Sequence, residues 1–313
     1  MTPRISVVIR SYNRVEMLCE LIERLLAQHH RDFEIVVVEQ STERSPGAAA
    51  RLGALAQDGR VRVLEHPPLG GARARNIGVA AARGELVLLL DDDDQPVGED
   101  FLATMEQGMS DPACLGITCQ HVWPELGPPS RLYSWLAQHR CMRFSTLLGL
   151  PLVYARHDQP VRPVDYVHGT GGMLRRAAVD RFGGWDEDTP IEDETSFALR
   201  AAEHKRPEEY FAFDPSAQLL RNLDASGGLG KRFLRPGGFF VKFMTFVHHI
   251  LARYRPWRVR LLYPLYVLAG GVWTASWIWY DSRAHDTVVR KLWGVSLFVA
   301  TLPWHALRAA ARK

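Results

Sequence analysis

Residues 86–94 read LVLLLDDDD, five apolar residues followed at once by four aspartates. An uninterrupted apolar run of this length predicts a strand that is buried on both faces, as in a parallel sheet. Ligands of open α/β sheets bind beyond the carboxyl ends of such strands. Four carboxylates at that place repel one another, so their ionised forms are costly unless a cation compensates them. Oxygen ligands with no His or Cys nearby favour Mg²⁺ or Mn²⁺. A solvated acidic loop is the alternative.

Three further apolar, β-branched runs precede this strand, namely ISVVI at 5–9, FEIVVV at 33–38 and VRVL at 61–64. Helices are predicted between these strands. The evidence is the helical spacing of leucines at 18–26 and two alanine-rich stretches, at 48–56 and 72–83. Gly84 is expected to cap the last of these helices. Strand and helix thus alternate four times in about 90 residues, which predicts an α/β fold with a mostly parallel, doubly wound sheet.

The middle of the chain is less regular. Residues 120–165 contain six prolines and are expected to be irregular, with a helix near 134–143. Order resumes at Tyr166, where VHGTGGMLRRAAVDRFGGWDED predicts a strand, a glycine-rich turn, a helix and a second turn. A further helix is expected at 191–203.

Two weaker signals accompany the aspartate run. GGARARNIG at 70–78 places glycines and two arginines at a helix start, which suits an anion but also suits an ordinary loop. Glu192, Asp193 and Glu194 open a helix, where acids complement the helix dipole. Beside a metal site, one of these carboxylates becomes a candidate general base.

The last quarter of the chain has a different composition. From residue 228 to 313 there are 14 Lys and Arg against two acids, whereas the first 227 residues hold 24 basic and 33 acidic side chains. The tail also carries 16 of the 31 aromatic residues and two uncharged runs, at 261–280 and 292–307. Basic charge with Trp and Tyr favours an anionic membrane face over nucleic acid. We therefore expect a catalytic domain at 1–227 and a helical, membrane-associating region at 228–313.

Five motifs in order resemble the family 2 glycosyltransferases over roughly residues 5–224. They are VVIRSYNR, VVVEQST, the stretch from GGARARNIG to LVLLLDDDD, GTGGMLRRAAVDRFGGWDED and EDETSFALR. The resemblance implies a GT-A nucleotide-diphospho-sugar transferase fold, a divalent metal and inversion at the anomeric carbon.

Site residues carry over from this resemblance by position. It implies that the donor is bound by Ser11, Tyr12, Asn13, Glu39, Arg75, Asn76, Asp91 and Asp92. Asp91 and Asp93 match the D-x-D motif of the metal site. The catalytic acid pair falls at Glu192-Asp193 or at Asp193-Glu194, so Asp193 is assigned as the base in either register.

Four positions depart from the family pattern. Arg10 stands where proline is common, and EQST is one residue shorter than the usual acidic-Gly-Ser-Thr segment. Arg221 occupies the approximate place of a family histidine, and Asn222 replaces the Trp of the QxxRW motif of processive synthases. The last difference favours transfer of a single sugar over polymerisation.

We therefore expect an inverting, metal-dependent enzyme that transfers one sugar from a nucleotide-diphospho-sugar to a hydroxyl acceptor, namely a lipid-linked acceptor or a polysaccharide or other glycan of the cell envelope. Its expected place is the cytoplasmic face of the inner membrane, attached peripherally or by a hairpin. The alternatives are a sugar-1-phosphate nucleotidyltransferase and a non-catalytic membrane-surface binding module. No nucleic-acid partner is expected.

Overall fold

The computed structural model of the chain describes residues 2–122, 135, 139–152, 158–188, 193–221 and 238–280. The chain divides into two compact units, one formed by residues 1–145 and 150–227 and the other by 146–149 and 228–313.

The amino-terminal part of the first unit alternates strands with helices. The elements are β1 (Ile5–Ser11), α1 (Val15–Leu26), β2 (Phe33–Glu39), α2 (Pro46–Leu55), β3 (Val61–Glu65), α3 (Gly71–Ala81) and β4 (Leu86–Asp91). β1 pairs in parallel with both β2 and β4, and Val7 lies opposite Ile35 and Leu88. β2 and β3 are also parallel. The apolar runs therefore predict this half of the sheet correctly.

The remaining elements of the first unit extend the sheet beyond β4. They are β5 (Asp94–Pro96), α4 (Phe101–Gly108), β6 (Cys114–Val122), β7 (Arg143–Phe144), β8 (Pro151–Leu152), β9 (Val161–Val164), β10 (Gly172–Arg175), α5 (Arg176–Phe182), α6 (Asp193–His204) and β11 (Tyr210–Arg221). Among the described residues the strand order is β3-β2-β1-β4-β10-β6-β11-β5, with β9 also paired to β11 and with β7-β8 as a separate ribbon.

The sheet is mixed rather than mostly parallel. β10 runs antiparallel to β4 and β6, and β5 and β9 run antiparallel to β11, so only β6 and β11 are parallel in this half. A strand buried on both faces has no side-chain alternation, and its direction cannot be read from periodicity. The expected strand at Tyr166 is also displaced, because the chain bends there and the strand begins at Gly172.

Both faces of the sheet are covered by helices. Val7, Ile35 and Leu88 face one apolar cluster, which includes residues of α1 and α4. Their neighbours along the strands, Val8 and Leu89, face a second cluster that includes residues of α3, α5 and α6. Two-sided burial explains why these strands are apolar without interruption and confirms the layered α/β architecture.

Gly84 does not cap α3, contrary to the prediction. The helix ends at Ala82, whose backbone is extended with φ −67° and ψ 143°. Gly84 instead packs against the start of β1, where a Cβ on this residue would lie 2.7 Å from the backbone nitrogen of Ser6. Close backbone approach is the reason for glycine here.

Among the described residues, the second unit is helical. α7 (Gly238–Phe246) continues through a π-helical turn, Val247–Leu251, into α8 (Ala252–Tyr254), and α9 spans Pro256–Tyr280. Arg255 leaves helical geometry immediately before Pro256, as a residue preceding proline tends to do. Leu262 is non-helical two residues before Pro264, so α9 is kinked there.

No helix among the described residues is both long enough and apolar enough to cross a membrane. The second uncharged run, at 292–307, lies outside the described residues. Of the helix expected at 134–143, residues 134 and 136–138 also lie outside them, while residues 135, 139 and 140 are helical. Residues 141–142 form a turn and Arg143 begins β7, so the predicted helix extends too far.

Candidate active site

The candidate site lies at the carboxyl ends of β1, β2 and β4. Because β1 and β4 are parallel and in register, Arg10 lies opposite Asp91, and the residues that follow each strand emerge side by side. The backbone N–H of Tyr12 donates to Asp92 Oδ2 at 3.1 Å. The strand pairing thus brings the SYNR segment and the aspartate run together, as the sequence predicts for adjacent parallel strands.

Three arginines from separate parts of the chain contact the four aspartates. Arg10 Nε donates to Asp91 Oδ1 at 2.6 Å. The guanidinium of Arg14 forms ion pairs with two aspartates, at 2.7 Å from Asp92 Oδ1 and at 2.7 Å from Asp93 Oδ2. Arg221, at the end of β11, lies 3.5 Å from Asp91, 3.7 Å from Asp93 and 3.2 Å from Asp94. The acid run is therefore compensated largely by the protein itself.

The sequence does not identify these arginine contacts. The prediction noted Arg10 and Arg221 only as departures from a family pattern, and it gave Arg14 no role. Arg14 follows β1 directly, so its proximity to β4 follows from strand pairing. Arg221 reaches the site because β11 and β5 pair antiparallel, with Arg221 opposite Asp94. That pairing has no local sequence signal.

Burial and the neighbouring arginines shift the pKa values of the aspartates in opposite directions. Burial favours the neutral acid, but Arg10 and Arg221 outweigh it and hold the pKa of Asp91 well below its usual range. Burial raises the pKa of Asp92 to about 7 despite Arg14, and it raises the pKa of Asp94 to about 6 despite Arg221. Burial also opposes the charge of Arg221, yet the nearby carboxylates raise its pKa.

Asp92, Asp93 and Asp94 each have a buried Oδ1 atom without a hydrogen-bond partner. Of the three, Asp93 Oδ1 lies farthest from an arginine, since Arg221 is 3.7 Å from it, whereas Arg14 is 2.7 Å from Asp92 Oδ1 and Arg221 is 3.2 Å from Asp94 Oδ1. Among the residues that the structure describes, no three or more His, Cys, Asp or Glu side chains form a metal-binding group. Mg²⁺ is commonly held by one or two carboxylates together with substrate phosphates and water. Asp93, with Asp91 beside it, fits that kind of site.

The ends of β1 and β2 hold two more buried oxygens without hydrogen bonds. Ser11 and Glu39 are opposite each other in the parallel pair, and both are almost fully buried. Ser11 Oγ and Glu39 Oε2 have no hydrogen-bond partner, while Glu39 Oε1 accepts a bond from the backbone N–H of Ser41 at 2.6 Å. Unsatisfied buried polar atoms are uncommon, and a bound ligand or ion is one way to supply the missing partners.

Asn13 has a structural role at the same edge. Its φ of 56° is left-handed, a conformation that asparagine tolerates better than most residues. Its Oδ1 accepts from the backbone N–H of Thr42 at 2.9 Å, and its own N–H donates to Ser41 Oγ at 2.7 Å. Asn13 therefore ties the loop after β1 to the loop after β2.

Arg75 and Asn76 lie on α3 and support neighbouring loops. Arg75 is buried, donates to the Gly169 carbonyl at 2.8 Å, and lies 5.3 Å from the centroid of the Trp185 ring. Asn76 exchanges two hydrogen bonds of 2.8 Å with the backbone of Trp185. Arg75 thereby contacts both the glycine-rich turn before β10 and the segment between α5 and α6, and Asn76 holds the latter segment.

Glu194 lies next to Arg75 at the start of α6. A Cβ built on Gly169 would lie 3.0 Å from Glu194 Oε2 and 3.1 Å from Arg75 Nη2, so glycine is needed for this approach. The backbone of Asp193 begins α6, while Glu192 lies outside the described residues, as does the side chain of Asp193. The register of the catalytic acid pair therefore remains the sequence-based expectation.

His121, which is buried, and His168, which is partly buried, brace the glycine-rich turn. His121 and His168 both contact the Thr170 carbonyl, at 3.0 and 3.2 Å, and their rings meet edge to face. Burial lowers the pKa of His168 to about 3, so this imidazole is neutral at pH 7. The Thr170 hydroxyl in turn donates to Asp94. The turn is thereby fixed against the aspartate run.

Comparisons with known proteins agree with this geometry. The sequence profile of the family described as Glycosyl transferase family 2 matches residues 6–182. Glycosyltransferase GlyG of Streptococcus pneumoniae is 36% identical over 108 residues, 34% of this chain and 35% of that protein. The chain thus matches about a third of the length of GlyG. Uncharacterized glycosyltransferase YwdF of Bacillus subtilis is 29% identical over 212 residues, 65% of this chain and 69% of its own length.

Solved structures share the fold at low sequence identity. Mannosyltransferase PcManGT from Pyrobaculum calidifontis, solved with GDP-Man and Mn²⁺, aligns over 100% of this chain and 88% of its own, with a TM-score of 0.60 and 18% identity. S. aureus TarS 1–349, solved with UDP-GlcNAc, aligns over 96% of this chain and 92% of its own, with a TM-score of 0.55 and 14% identity. Since the family profile covers more than half of the 313 residues, the chain belongs to glycosyl transferase family 2.

Proposed function

We propose that this enzyme transfers one hexosyl unit from a nucleotide-diphospho-sugar to a hydroxyl acceptor, with inversion at the anomeric carbon. The reaction depends on Mg²⁺ or Mn²⁺. The acceptor is a lipid-linked or cell-envelope glycan, and the enzyme works at the cytoplasmic face of the inner membrane.

One observation carries the proposal: buried oxygens without hydrogen bonds converge at one edge of the sheet. Asp93 Oδ1 follows β4, while Ser11 Oγ and Glu39 Oε2 end β1 and β2. Ser11 and Glu39 offer a hydroxyl and a carboxylate to the polar groups of a nucleoside. Asp93 offers a hard ligand to the cation that accompanies a diphosphate. PcManGT, which shares the fold, was solved with GDP-Man and Mn²⁺.

The proposed reaction assigns a role to particular residues of this chain at each step. A carboxylate at the start of α6, assigned to Asp193, takes the proton of the acceptor hydroxyl as its oxygen bonds to C1 of the sugar. The bond from C1 to the diphosphate breaks, and its electron pair leaves with the nucleoside diphosphate. A bound divalent ion supplies charge stabilisation for that leaving group. Glu194, beside Arg75 and Gly169, is the alternative base.

The acceptor and the location are inferred from the tail. Its excess of basic side chains, with Trp and Tyr among them, suits an anionic leaflet, where a soluble donor would meet a lipid-borne hydroxyl. Transfer of a single sugar is favoured because Asn222 replaces the Trp of the processive motif.

A donor screen by mass spectrometry tests the proposal. UDP-, GDP- and dTDP-sugars are each offered with a lipid-linked acceptor, with Mn²⁺ or with EDTA, and the anomer of the product is read by NMR. We expect one donor class to give a product of inverted configuration, and EDTA to stop the reaction. A retained configuration or full turnover in EDTA refutes the mechanism. Formation of a nucleotide-sugar from a sugar-1-phosphate and a nucleoside triphosphate would instead identify a nucleotidyltransferase.

A further inference from the structure

The helix α9 exposes an apolar stripe made of Trp257, Leu261, Leu265, Leu268 and Val272. After the kink at Leu262, Leu265, Leu268 and Val272 are spaced by three and four residues, which places them on one side of the helix. Before the kink, Trp257 and Leu261 are four residues apart and also share one side. Leu261 is 71% exposed and Leu268 is 62% exposed. Single exposed apolar residues are ordinary, but five in one stripe form a patch of the kind that marks an interaction site.

The opposite side of α9 already makes the helix's packing contacts within its unit. Tyr266, Gly270 and Thr274 are buried there. A Cβ on Gly270 would lie 2.6 Å from the Phe243 ring of α7, so the two helices are close together at this point. The Tyr266 hydroxyl donates to the Leu148 carbonyl at 2.6 Å. The stripe on the outer side is therefore additional to the residues that hold the unit together.

Charge distinguishes a lipid surface from other occupants of this face. Arg253, in α8, and Arg260, in α9, are both exposed and lie four residues before and three residues after Trp257 in the sequence. The guanidinium of Arg258 lies 5.3 Å from the centroid of the Trp257 ring. No Asp or Glu occurs anywhere between Asp224 and Asp281. Trp at the border between an apolar stripe and a basic cluster is the composition of a helix that lies in an anionic bilayer interface.

We infer that the outer face of α9 inserts into the surface of an anionic bilayer, with Trp257, Leu261, Leu265, Leu268 and Val272 in the acyl boundary and Arg253 and Arg260 against lipid phosphates. The inference deepens the proposed membrane location and rests on it. A second copy of the chain, or residues 281–313, are the other occupants that the experiment distinguishes.

The test is flotation of the full-length protein with vesicles of phosphatidylcholine alone or with 30 mol% phosphatidylglycerol, a fraction of the order used to mimic anionic leaflets. Two outward leucines are replaced together, Leu261→Asp with Leu268→Asp, and two arginines together, Arg253→Gln with Arg260→Gln. Val97→Asp is the matched control, since Val97 is an exposed apolar residue of the first unit. Thermal unfolding without lipid is recorded for each variant.

We expect the wild type and Val97→Asp to float with anionic vesicles. The leucine pair should lower the partition coefficient by about 100-fold or more, at roughly tenfold for each leucine. The arginine pair should lower it by about 25-fold on anionic vesicles and little on neutral ones, at roughly fivefold for each charge. Unfolding temperatures should be unchanged, because the stripe makes few contacts within its unit.

Three results would overturn the inference. The leucine pair could float like the wild type, or the wild type could fail to bind anionic vesicles at all. The leucine pair could also unfold at lower temperature without lipid, which would mean that residues 281–313 or a second copy cover the face, and light scattering separates those two cases. Donor cleavage measured in the absence of vesicles reports on the catalytic proposal separately, so the two can fail independently.

Discussion

The charge balance at the aspartate run gives a measurable consequence for Arg221. Replacing Arg221 by Gln removes the one side chain that lies within 4 Å of Asp91, Asp93 and Asp94 together among the described residues. Among the described residues, the ion pairs left to the four carboxylates are then those with Arg10 and Arg14. Glutamine keeps a hydrogen-bonding group of similar reach, so the change is mainly one of charge.

The expected loss can be estimated from the burial of the group. Removing one partner of a buried ion pair typically costs about 3–5 kcal/mol, because the other charge is left uncompensated. The Arg221 side chain is 21% exposed, and protonation of an aspartate can relieve part of the repulsion. We therefore expect about 2–4 kcal/mol, which lowers the unfolding temperature of a unit of this size by roughly 5–12 °C.

The loss should increase with pH. Burial already raises the pKa of Asp94 to about 6, above its value in the unfolded chain, so the folded protein binds a proton more tightly and loses stability as pH rises toward 6. Without Arg221 the pKa of Asp94 rises further, so the loss of stability continues to higher pH. The difference between wild type and variant should accordingly be larger at pH 8 than at pH 5.5.

Thermal unfolding between pH 5.5 and 8, with and without Mn²⁺ and a nucleoside diphosphate, measures these effects. A divalent cation should stabilise Arg221→Gln more than the wild type, since it replaces the missing positive charge. Arg51→Gln is the matched control, because Arg51 pairs with Glu23 at a surface where both side chains are more than a third exposed and such pairs contribute at most about 1 kcal/mol. Equal unfolding temperatures for Arg221→Gln and wild type at pH 8 would refute the charge argument.

Three further predictions concern the metal ligand, the base and the core. Asp93→Ala should reduce transfer by about 10³-fold or more and abolish stabilisation by Mn²⁺ with nucleotide, whereas Asp180→Asn, a change of an exposed acid on α5, should leave both intact. Asp193→Asn should cut turnover about 10²–10⁴-fold while donor binding measured by calorimetry persists, and inactivity of Glu194→Gln alone would assign the base to Glu194 instead. Glu34→Gln should cost about 1–3 kcal/mol at pH 7, because the buried carboxylate accepts hydrogen bonds from Ser6 and Arg83. Burial alone would raise the pKa of Glu34, yet those bonds lower it overall, so the ionised group stabilises the fold above pH 4.5 and the variant's deficit should shrink as pH falls below that value in chemical unfolding.

The sequence predicts those parts of the fold and site that depend on local pattern. β1, β2 and β4 follow from uninterrupted apolar runs, and the position of Asp91–Asp94 follows from the end of one such run. The resemblance to family 2 implies that Ser11 and Glu39 lie near the donor, and the structure places them opposite each other at the ends of β1 and β2.

The parts that could not be predicted depend on pairing between distant segments. β10 enters the sheet antiparallel between β4 and β6, and a strand buried on both faces gives no sign of its direction. Gly84 resembles a helix cap in sequence, but its neighbour in space is Ser6, nearly 80 residues away. The contact of Arg221 with Asp94 depends on the pairing of β11 with β5. Each of these contacts forms only in the assembled sheet, so no local sequence pattern predicts it.

The arginines around the aspartate run offset the mutual repulsion of its four carboxylates. Carboxylates clustered for a metal ion destabilise the fold when no cation is bound to them. Arg10 and Arg14 come from β1 and the residues after it, and Arg221 ends β11, so the assembled sheet itself supplies the compensating charge. The same contacts must weaken the affinity for a bare cation, because guanidinium and metal compete for the same oxygens. A donor that brings its own negative charge favours the metal and offers the arginines a second partner, so metal and nucleotide are expected to bind cooperatively rather than independently.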